Sequence, residues 1–431
     1  MEFIADLHIH SKHAAATSSH MDLEHMAITA DEKGIDIIST GDFTHPAWFS
    51  ELKASLEEVE KGLYRLKNSK AKARFIIGVE IATVHGSGTS MNFFDRTGKV
   101  KKVHHCILAP DLSVAEQIND ALSKRGDLSS DGRPMLNMSP AELAEIVTEI
   151  SSRALIFPAH AWTPWFGVFG SMSGYDSMQE AYEEQEKNIF ALETGLSSDP
   201  AMNWRLSKLD KYALVSTSDA HSPQKIGREA TVFELPGDGL SFDAIYSSIR
   251  NKQVKYTIEF YPEEGKYHYD GHRKCGVSMS PEEAKRYNNI CPVCGKPLTL
   301  GVLHRIDTLA DRPMGFVPKG AKPFVHAVPL IELVEKATGK KEWNKEATAM
   351  YEALIAKFGS EFNLLLRAEI SEIKKANERI GEAIERVRQG RVYIKPGYDG
   401  VFGIVDPFAE GKESKESDRG SSQGQKTISD F

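Results

Sequence analysis

The first 255 residues alternate short β-rich runs with helical stretches. The runs read IDIIST, FIIGVEI, HHCILA, ALIFPAH, NIFALET, YALVSTSD and VKYTIEF. This rhythm predicts an α/β fold with a mostly parallel sheet. In barrels and open α/β sheets the active site lies at the carboxyl ends of the strands. The residues that follow these runs are therefore the candidates for a functional site.

Metal-ligating residue types stand at or just after these runs. The opening stretch, FIADLHIH, has strand periodicity that places Asp6, His8 and His10 on one face. Later β-runs end in further ligand-type residues, namely Asp42, Glu80, His105, His160, Glu193, Asp219 and His221. Imidazole and carboxylate ligands suit Zn²⁺ or Mn²⁺, and this number exceeds the need of one ion. The pattern predicts a multinuclear metal site, whereas a half-buried edge strand with polar outward residues is the plain alternative for the first stretch.

Length, charge and cysteine usage bound the class of protein. The chain has 431 residues, enough for two or three domains, and a formal net charge of -8, which argues against coating nucleic acid through bulk charge. No apolar run is long enough to span a membrane, and no signal peptide precedes the first strand. The four cysteines do not form a disulfide framework of a secreted domain. We expect a cytoplasmic protein associated with the nucleoid.

A small metal-binding module is predicted between about residues 259 and 299. His272 and Cys275, then Cys291 and Cys294, form two knuckles, HRKCGV and CPVCGK. This spacing is typical of a closed structural Zn²⁺ site, because so short a loop-rich segment could not fold on its own apolar burial. His268 is an alternative to His272. Cys106 is expected to be a buried core thiol.

The last third of the chain changes character twice. From about residue 302 the pattern is helical, with one apolar stripe in ISEIKKANERIGEAIERVRQG, and from about residue 401 the sequence has the composition of a disordered tail. The tail ends QKTISDF, in which Gln425, Ile428 and Phe431 match the motif that docks on DNA sliding clamps. The predicted domains are a catalytic domain, a zinc-binding domain, a helical domain and a tail, at 1–257, 258–301, 302–400 and 401–431.

The ordered ligand motifs resemble those of the polymerase-and-histidinol-phosphatase (PHP) superfamily. They are HIH at 8–10, GDFTH around Asp42, Glu80, His105, PAH at 158–160 and SDAH at 218–221. The resemblance implies a distorted (βα)7 barrel, a cluster of two or three metal ions, with Mg²⁺ or Mn²⁺ as alternatives to Zn²⁺, and hydrolysis of phosphate esters. One departure is Phe43 where the family usually has His. His45 could substitute for it, His13 is a further candidate ligand, and a catalytically inactive scaffold is the alternative for the whole barrel.

The whole chain resembles one family within that superfamily. The barrel, the zinc module, the clamp motif and the stretches YHYDGHRKCGV and HRIDTLADRP are similar to endonuclease Q, an archaeal DNA repair nuclease family that also occurs in some bacteria. The resemblance implies cleavage on the 5′ side of hypoxanthine, uracil, xanthine or an abasic site, giving a 3′-hydroxyl and a 5′-phosphate. It also implies damaged DNA and the sliding clamp PCNA as partners, and a monomer.

One loop is predicted to enclose a damaged base. An enzyme that inspects a single base takes it out of the stack and holds it between apolar walls. The loop HAWTPWFGVFGSMSGY follows His160 directly, and its candidate contacts are Trp162, Trp165, Phe166, Phe169, Gly170, Ser171, Met172 and Gly174. Its backbone N–H groups would favour the carbonyl of a deaminated base over an amine. The alternative is that these aromatic residues pack under the zinc module.

Two functions from other classes stay open at this point. A phosphomonoesterase of the histidinol-phosphatase type would use the same metal ligands but would have little need of residues 259–431. A non-catalytic adaptor bound to the clamp would need only the tail and the zinc module.

Overall fold

The structure, a computed structural model, describes residues 1–86, 100–235, 239–341 and 344–409. It contains two compact units. Unit 1 comprises Met1–Asp31, Ile35–Gly195 and Leu209–Lys255, and unit 2 comprises Glu32–Gly34, Leu196–Lys208 and Tyr256–Phe431. Among the described residues, no helix has the length and apolar character needed to cross a membrane. The predicted four-domain division stays a prediction.

Seventeen strands and thirteen α-helices are formed by the described residues. The strands are β1 (Glu2–Asp6), β2 (Ile37–Ser39), β3 (Leu56–Glu60), β4 (Leu63–Leu66), β5 (Arg74–Gly86), β6 (Val100–Ala109), β7 (Met135–Leu136), β8 (Leu155–Pro158), β9 (Ala191–Glu193), β10 (Ala213–Val215), β11 (Ala230–Glu234), β12 (Val254–Glu259), β13 (Asp270–His272), β14 (Val277–Met279), β15 (Phe324–His326), β16 (Tyr393–Lys395) and β17 (Ile404–Asp406). The helices are α1 (Leu23–Lys33), α2 (Pro46–Ser55), α3 (Leu112–Leu122), α4 (Pro140–Ile150), α5 (Met178–Tyr182), α6 (Pro200–Asn203), α7 (Phe242–Arg250), α8 (Pro281–Arg286), α9 (Val302–Leu309), α10 (Leu330–Thr338), α11 (Lys345–Phe358), α12 (Ile370–Ala376) and α13 (Glu378–Arg388).

Unit 1 is built on a ring of strands. β1 pairs in parallel with β2 and β2 with β5, while β6 runs antiparallel to both β5 and β8. β9 and β10 pair in parallel. The Ala161 N–H donates to Glu193 O at 3.1 Å, and the Asp219 N–H donates to His8 O at 2.9 Å, which links the remaining neighbours. The predicted fold class is confirmed, and the reversed β6 is one source of its distortion.

The core of unit 1 is formed by apolar side chains of these strands and their helices. Its fully buried members include Leu7, Ile37, Ile76, Phe157 and Val215. Strands covered on both faces are expected to read as nearly continuous apolar runs, which is how these segments read. Buried polar residues are therefore exceptions in the ring, and where they cluster they indicate a functional site.

Unit 2 combines a short strand pair with small hairpins and helices. β12 pairs in parallel with β15, β13 with β14 antiparallel, and β16 with β17 antiparallel. The predicted apolar stripe is interrupted at Asn377, whose side chain accepts from the Ile380 N–H and starts α13. Ile380 and Ile384 are buried, but Ala376, at the end of α12, is exposed.

Candidate metal centre

Four predicted residues converge at one end of the ring. The side chains of His8, His10, Glu80 and Asp219 place their ligand atoms within 4.8 Å of one another. His10 Nε2 lies 3.2 Å from both Glu80 Oε2 and Asp219 Oδ1. These four residues are named the first ligand group.

A second ligand group shares Glu80 with the first. It consists of Glu80, His104 and His160, again with ligand atoms within 4.8 Å. Glu80 Oε1 lies 2.7 Å from His104 Nδ1 and 3.0 Å from His160 Nε2. Glu80 therefore directs one oxygen to each group, the arrangement of a carboxylate able to bridge two metal ions.

The structure does not bring His105 to this centre, which corrects the prediction. Its Nδ1 lies 2.8 Å from the Tyr182 hydroxyl and its Nε2 lies 2.9 Å from Thr83 Oγ1, so both ring nitrogens are engaged elsewhere. Burial and the neighbouring His104 lower the pKa of His105 to about 3. Successive residues of a strand point to opposite faces, so only one of these two histidines can share a face with Glu80. That residue is His104.

Two predicted carboxylates orient the histidines from behind. Glu193 Oε2 lies 3.1 Å from His8 Nδ1, and Asp42 Oδ1 lies 3.0 Å from His10 Nδ1. A carboxylate can only accept here, so Nδ1 carries the proton and Nε2 faces the centre. Asp42 Oδ2 also accepts from the backbone N–H and hydroxyl of Ser11. Asp42 and Glu193 thus fix the tautomer and direction of both rings.

Opposing charges dominate the electrostatics of the first ligand group. Burial acts to lower the pKa of His10, but Asp42, Asp219 and Glu80 outweigh it and hold that pKa well above 6.5. Burial acts to raise the pKa of Glu80, but His104, Arg133 and His8 hold it well below 4.5. Without metal, protons on the imidazoles supply the positive charge that the carboxylates require. Metal ions would have to displace those protons.

The chemistry and burial of the ligand atoms fit bound metal ions. His8 Nε2, His10 Nε2 and Asp219 Oδ1 are buried and make no well-aligned hydrogen bond among the described residues, although His10 Nε2 lies 3.2 Å from Asp219 Oδ1 and from Glu80 Oε2. Buried polar atoms left without partners are costly and rare in folded proteins. Here these two imidazole nitrogens and the carboxylate oxygen converge with Glu80, a donor set that suits Zn²⁺ or Mn²⁺.

Several site residues have a strained backbone. Asp42, His160 and Asp219 have φ values of 49°, 30° and 47°, in the left-handed region. Non-glycine residues rarely adopt this conformation, and where they do it often marks a functional site. Each residue follows a strand of the ring, so the turn directs its side chain to the end of the ring.

The remaining predicted histidines lie at the edge of the centre or away from it. The ring of His221 lies 4.4 Å from that of His10, and its Nδ1 lies 2.9 Å from the Asp219 carbonyl oxygen. His13 stacks on His45 at 4.3 Å, and neither belongs to the two ligand groups. Asp42, which could have formed a metal site with His13 or His45, instead contacts His10 Nδ1 and accepts a hydrogen bond from the Ser11 hydroxyl.

Sequence reasoning missed Arg133 as well as His104. Arg133 Nη1 donates to Glu80 Oε2 at 3.1 Å, and the side chain is 27% exposed. Arg133 stands in the polar loop SSDGRP, where neither strand nor helix periodicity applies. The histidine doublet at 104 and 105 offered a signal, but the choice between them required the strand register.

The cysteine module brings together its four predicted ligands. His272, Cys275, Cys291 and Cys294 place ligand atoms within 4.8 Å of one another, and His272 Nδ1 lies 3.3 Å from Cys294 Sγ. His268 is not part of this group; it is buried and stacks on Tyr269. The structure thus groups His272, and not the alternative His268, with the three cysteines.

The sulfur atoms of the module do not ionise alike. Burial and the nearby Cys294 and Cys291 raise the pKa of Cys275 to about 11. Burial opposes ionisation of Cys291, yet the backbone N–H groups of Cys294 and Val293 lower its pKa to about 6. For all three sulfur atoms to ionise this close together, a bound cation is needed, as a structural metal site supplies.

The aromatic loop after His160 is partly core and partly surface. Trp162, which is predicted to help enclose a damaged base, is fully buried and packs on Phe169 at 4.8 Å. Phe166 packs on His104 at 4.3 Å, while Trp165 is 36% exposed.

The small residues of this loop also differ in exposure. Gly170 is buried and its N–H donates to Gly167 O, and Gly174 is buried too. Ser171 is exposed and Met172 is half-buried. Trp165, Phe166, Ser171 and Met172 are thus the predicted contacts that solvent reaches.

The ring and its ligand groups together define a PHP-type metal-binding domain. A family model described as PHP-associated matches residues 205–254, and one described as the MJ0043 C-terminal domain matches residues 329–391. The crystal structure of the lesion-specific endonuclease PfuEndoQ from Pyrococcus furiosus has a TM-score of 0.82 and 29% identity, covering 97% of this chain and 99% of that one. An endonuclease Q complex with a 27-mer duplex carrying an abasic lesion at the active site has a TM-score of 0.81 and 30% identity, covering 94% and 96%. The chain belongs to the endonuclease Q family.

Two curated proteins are also similar. YqxK of Bacillus subtilis is 27% identical over 422 residues, which is 94% of this chain and 99% of YqxK. MJ0043 of Methanocaldococcus jannaschii is 32% identical over 251 residues, which is 57% of this chain. The matched region spans 31% of the length of MJ0043.

Proposed function

We propose that the chain is a DNA repair endonuclease that cuts the phosphodiester on the 5′ side of hypoxanthine, uracil, xanthine or an abasic site. The observation that carries the proposal is the likeness, over 94% of this chain, to an endonuclease Q bound to duplex DNA with an abasic lesion at the active site. The reaction consumes one water molecule. Its oxygen bonds to phosphorus, the P–O3′ bond breaks, and the products carry a 3′-hydroxyl and a 5′-phosphate.

The two ligand groups are proposed to hold two ions. His8, His10 and Asp219 would hold one, His104 and His160 the other, and Glu80 would contact both. Ions about 3.5–4 Å apart generate a nucleophile from water at neutral pH and stabilise the attacking and leaving oxygens of a phosphate. Zn²⁺ and Mn²⁺ suit this mixed imidazole and carboxylate set, and Mg²⁺, which prefers oxygen ligands, is the alternative.

The chain's own residues prepare the centre for that chemistry. Glu193 and Asp42 hold the Nδ1 protons of His8 and His10, so both Nε2 atoms stay directed at the ligand groups. Asp219 and His221 are 26% and 31% exposed, so solvent reaches both, and we expect the substrate to approach from this side. The buried members maintain geometry while the exposed members meet the DNA.

The cysteine module is proposed to hold a structural Zn²⁺ through His272, Cys275, Cys291 and Cys294. A closed set of one imidazole and three thiolates is a frequent structural zinc site. The buried core of the module is small, comprising Ala284, Cys291 and Leu298. The ion would therefore supply most of the stability of the module.

Lesion recognition is proposed to involve the loop after His160. Trp165, Phe166, Ser171 and Met172 are its accessible predicted contacts, and backbone N–H groups there would donate to the carbonyl of a deaminated base. Duplexes with deoxyinosine and with deoxynebularine, which lacks that carbonyl, test this. Deoxyinosine should be cut faster, and equal rates would exclude recognition of the carbonyl.

The predicted contact with a sliding clamp concerns Gln425, Ile428 and Phe431, which lie outside the described residues. We keep that contact, the four-domain division at 1–257, 258–301, 302–400 and 401–431, the monomeric state and the cytoplasmic, nucleoid-associated location as proposals. Clamp binding is tested by gel filtration of the full chain with PCNA, comparing wild type with Phe431→Ala. Co-elution that Phe431→Ala abolishes supports the contact.

The experiment that tests the proposed function is nicking of end-labelled duplex DNA carrying one deoxyinosine or one abasic site, with Mg²⁺ or Mn²⁺. A single cut on the 5′ side of the lesion, lost in His8→Ala and in Asp219→Ala, supports it. No cut at any lesion, together with phosphate release from a small monoester, would contradict it. That outcome would favour the phosphomonoesterase alternative, which the likeness over both units does not favour. Full nicking by His8→Ala would exclude the ligand groups from catalysis.

A further inference from the structure

Arg133 brings a permanent positive charge to the metal centre. Its Nη1 donates to Glu80 Oε2 at 3.1 Å, the same oxygen that lies 3.2 Å from His10 Nε2. The guanidinium is also close enough to Asp219 for the two charges to interact. With 27% of its side chain exposed, Arg133 is open to the side from which a substrate arrives.

The loop that carries Arg133 is fixed on both sides. Asp131 Oδ1 accepts from the N–H groups of Arg133 and Ala15, at 3.0 and 3.2 Å. The Gly132 N–H donates to His13 O at 3.0 Å, and on the other side Pro134 O accepts from the Ala82 N–H at 3.0 Å. These contacts hold the loop so that the Arg133 side chain lies next to the metal centre.

Gly132 shows how closely this loop approaches the ligand system. A Cβ atom at Gly132 would lie 2.5 Å from Cγ and Oδ2 of Asp42, the carboxylate that orients His10. Such a contact is far inside van der Waals distance, so a side chain at this position would displace the loop or Asp42. Glycine at position 132 therefore allows the loop to pack directly against Asp42.

The position of Arg133 is unfavourable once ions are bound. A guanidinium hydrogen-bonded to a carboxylate that also binds metal ions would be repelled by those ions. A phosphodiester offers a better partner, because it carries negative charge and two non-bridging oxygens that match the planar fork of five N–H donors. Negative charge on those oxygens must be stabilised as water adds to phosphorus.

We propose that Arg133 binds the scissile phosphate, turning its guanidinium from Glu80 to a non-bridging phosphate oxygen when DNA and metal ions occupy the centre. This inference rests on the proposed function. Arg133 donates hydrogen bonds only; no bond to it forms or breaks. It is a catalytic residue, whereas Asp42 and Glu193 are positioning residues.

The test separates phosphate binding from support of Glu80. Mn²⁺ affinity of the full chain is measured by calorimetry without DNA, and nicking of abasic duplex is measured across a Mn²⁺ titration at saturating DNA. Arg133→Met should bind Mn²⁺ at least as tightly as wild type, because a competing cation is gone. Its nicking rate at saturating Mn²⁺ should fall by roughly 10²–10³-fold, as for removal of an oxyanion donor.

Two further variants control the interpretation. Arg133→Lys keeps the charge but loses the fork, so it should recover only part of the rate. Arg125→Met removes the same charge from an exposed arginine that precedes the loop, and should cut like wild type.

Either of two results would overturn the role of Arg133. The first is weakened Mn²⁺ binding in Arg133→Met with the full nicking rate restored by excess Mn²⁺, since that means the arginine only supports Glu80. The second is an unchanged rate in Arg133→Met.

Failure of the proposed function would look different. The wild-type chain would then cut no lesion duplex at all. The same variants would next be compared on bis(p-nitrophenyl) phosphate, where a rate loss in Arg133→Met at saturating Mn²⁺ supports phosphate binding and an unchanged rate excludes it.

Discussion

The two groups of metal-ligating residues in this chain are held in opposite ways. In unit 1 the imidazoles and carboxylates are buried at the end of a strand ring, and Glu193 and Asp42 orient His8 and His10 from behind. In the cysteine module the ligands stand at the end of the short strand β13 and on the turns that follow, the buried core has three residues including the ligand Cys291, and Cys294 is exposed. The first site is built by the fold, whereas we propose that the second is built by a bound metal ion.

The difference follows from where each ligand stands in the sequence. Ligands of unit 1 are spread from residue 8 to residue 219 and are collected by strands that would pair without metal. Those of the module lie within 272–294, each cysteine knuckle ending in a glycine with positive φ, Gly276 and Gly295. A preformed site can exchange ions and react, while a metal-built site serves structure.

Removing an imidazole of the first ligand group should have the largest effect on activity. His10→Ala should reduce nicking of lesion duplex to background, because Nε2 of His10 is one of the buried atoms directed at the centre. The fold should survive, which near-ultraviolet circular dichroism checks. His20→Ala, at an exposed histidine, is the control. Residual nicking by His10→Ala that added metal restores would mean that the position is dispensable.

Removing a thiolate should act on folding of the module. Cys291→Ser should abolish hydrogen-exchange protection across residues 270–299 and lower the metal content by one ion per chain, because the small core cannot fold the segment alone. Protection around β5 and β6 should not change. Retained protection across residues 270–299 would mean that the cysteine module folds without its metal, as the site in unit 1 does.

The orienting carboxylates should have a smaller effect than the ligands. Asp42→Asn should reduce Mn²⁺ affinity or nicking by about 10–100-fold, since the amide no longer fixes the Nδ1 proton of His10. Asp22→Asn is the matched control, because Asp22 accepts from Nδ1 of the exposed His25 at 2.9 Å. Equal losses in both variants would contradict a specific role for Asp42.

The smallest predicted effect is that of pH on the metal-free chain. The pKa of His10 is raised in the folded state, so its stabilising contribution is present below pH 6.5 and is lost as pH rises through the raised pKa. The melting temperature in EDTA should therefore fall as pH rises above about 6.5. The increase caused by Mn²⁺ should grow over the same range, since fewer protons compete. A melting temperature that rises with pH in EDTA would have the wrong sign.

Sequence patterns predicted the fold and many of the residues that the structure brings together, and their failures have physical causes. Strand alternation placed His8 and His10 on one face, and knuckle spacing selected the His272, Cys275, Cys291 and Cys294 side chains that the structure groups together. The choice between His104 and His105 failed because it depends on the register of β6 against β5, which pairs Ala82 with His104. The burial of Trp162 depends on its contact with Phe169. Arg133 lies on a loop whose position is set by contacts distant in sequence.

The central claim is that Glu80 joins two ligand groups into one two-ion centre. It is tested most directly by electron paramagnetic resonance of the metal-depleted chain during titration with Mn²⁺. Two ions per chain that give an exchange-coupled signal, replaced by isolated Mn²⁺ in Glu80→Gln, is the predicted result. Isolated Mn²⁺ throughout the titration of the wild-type chain would contradict the claim.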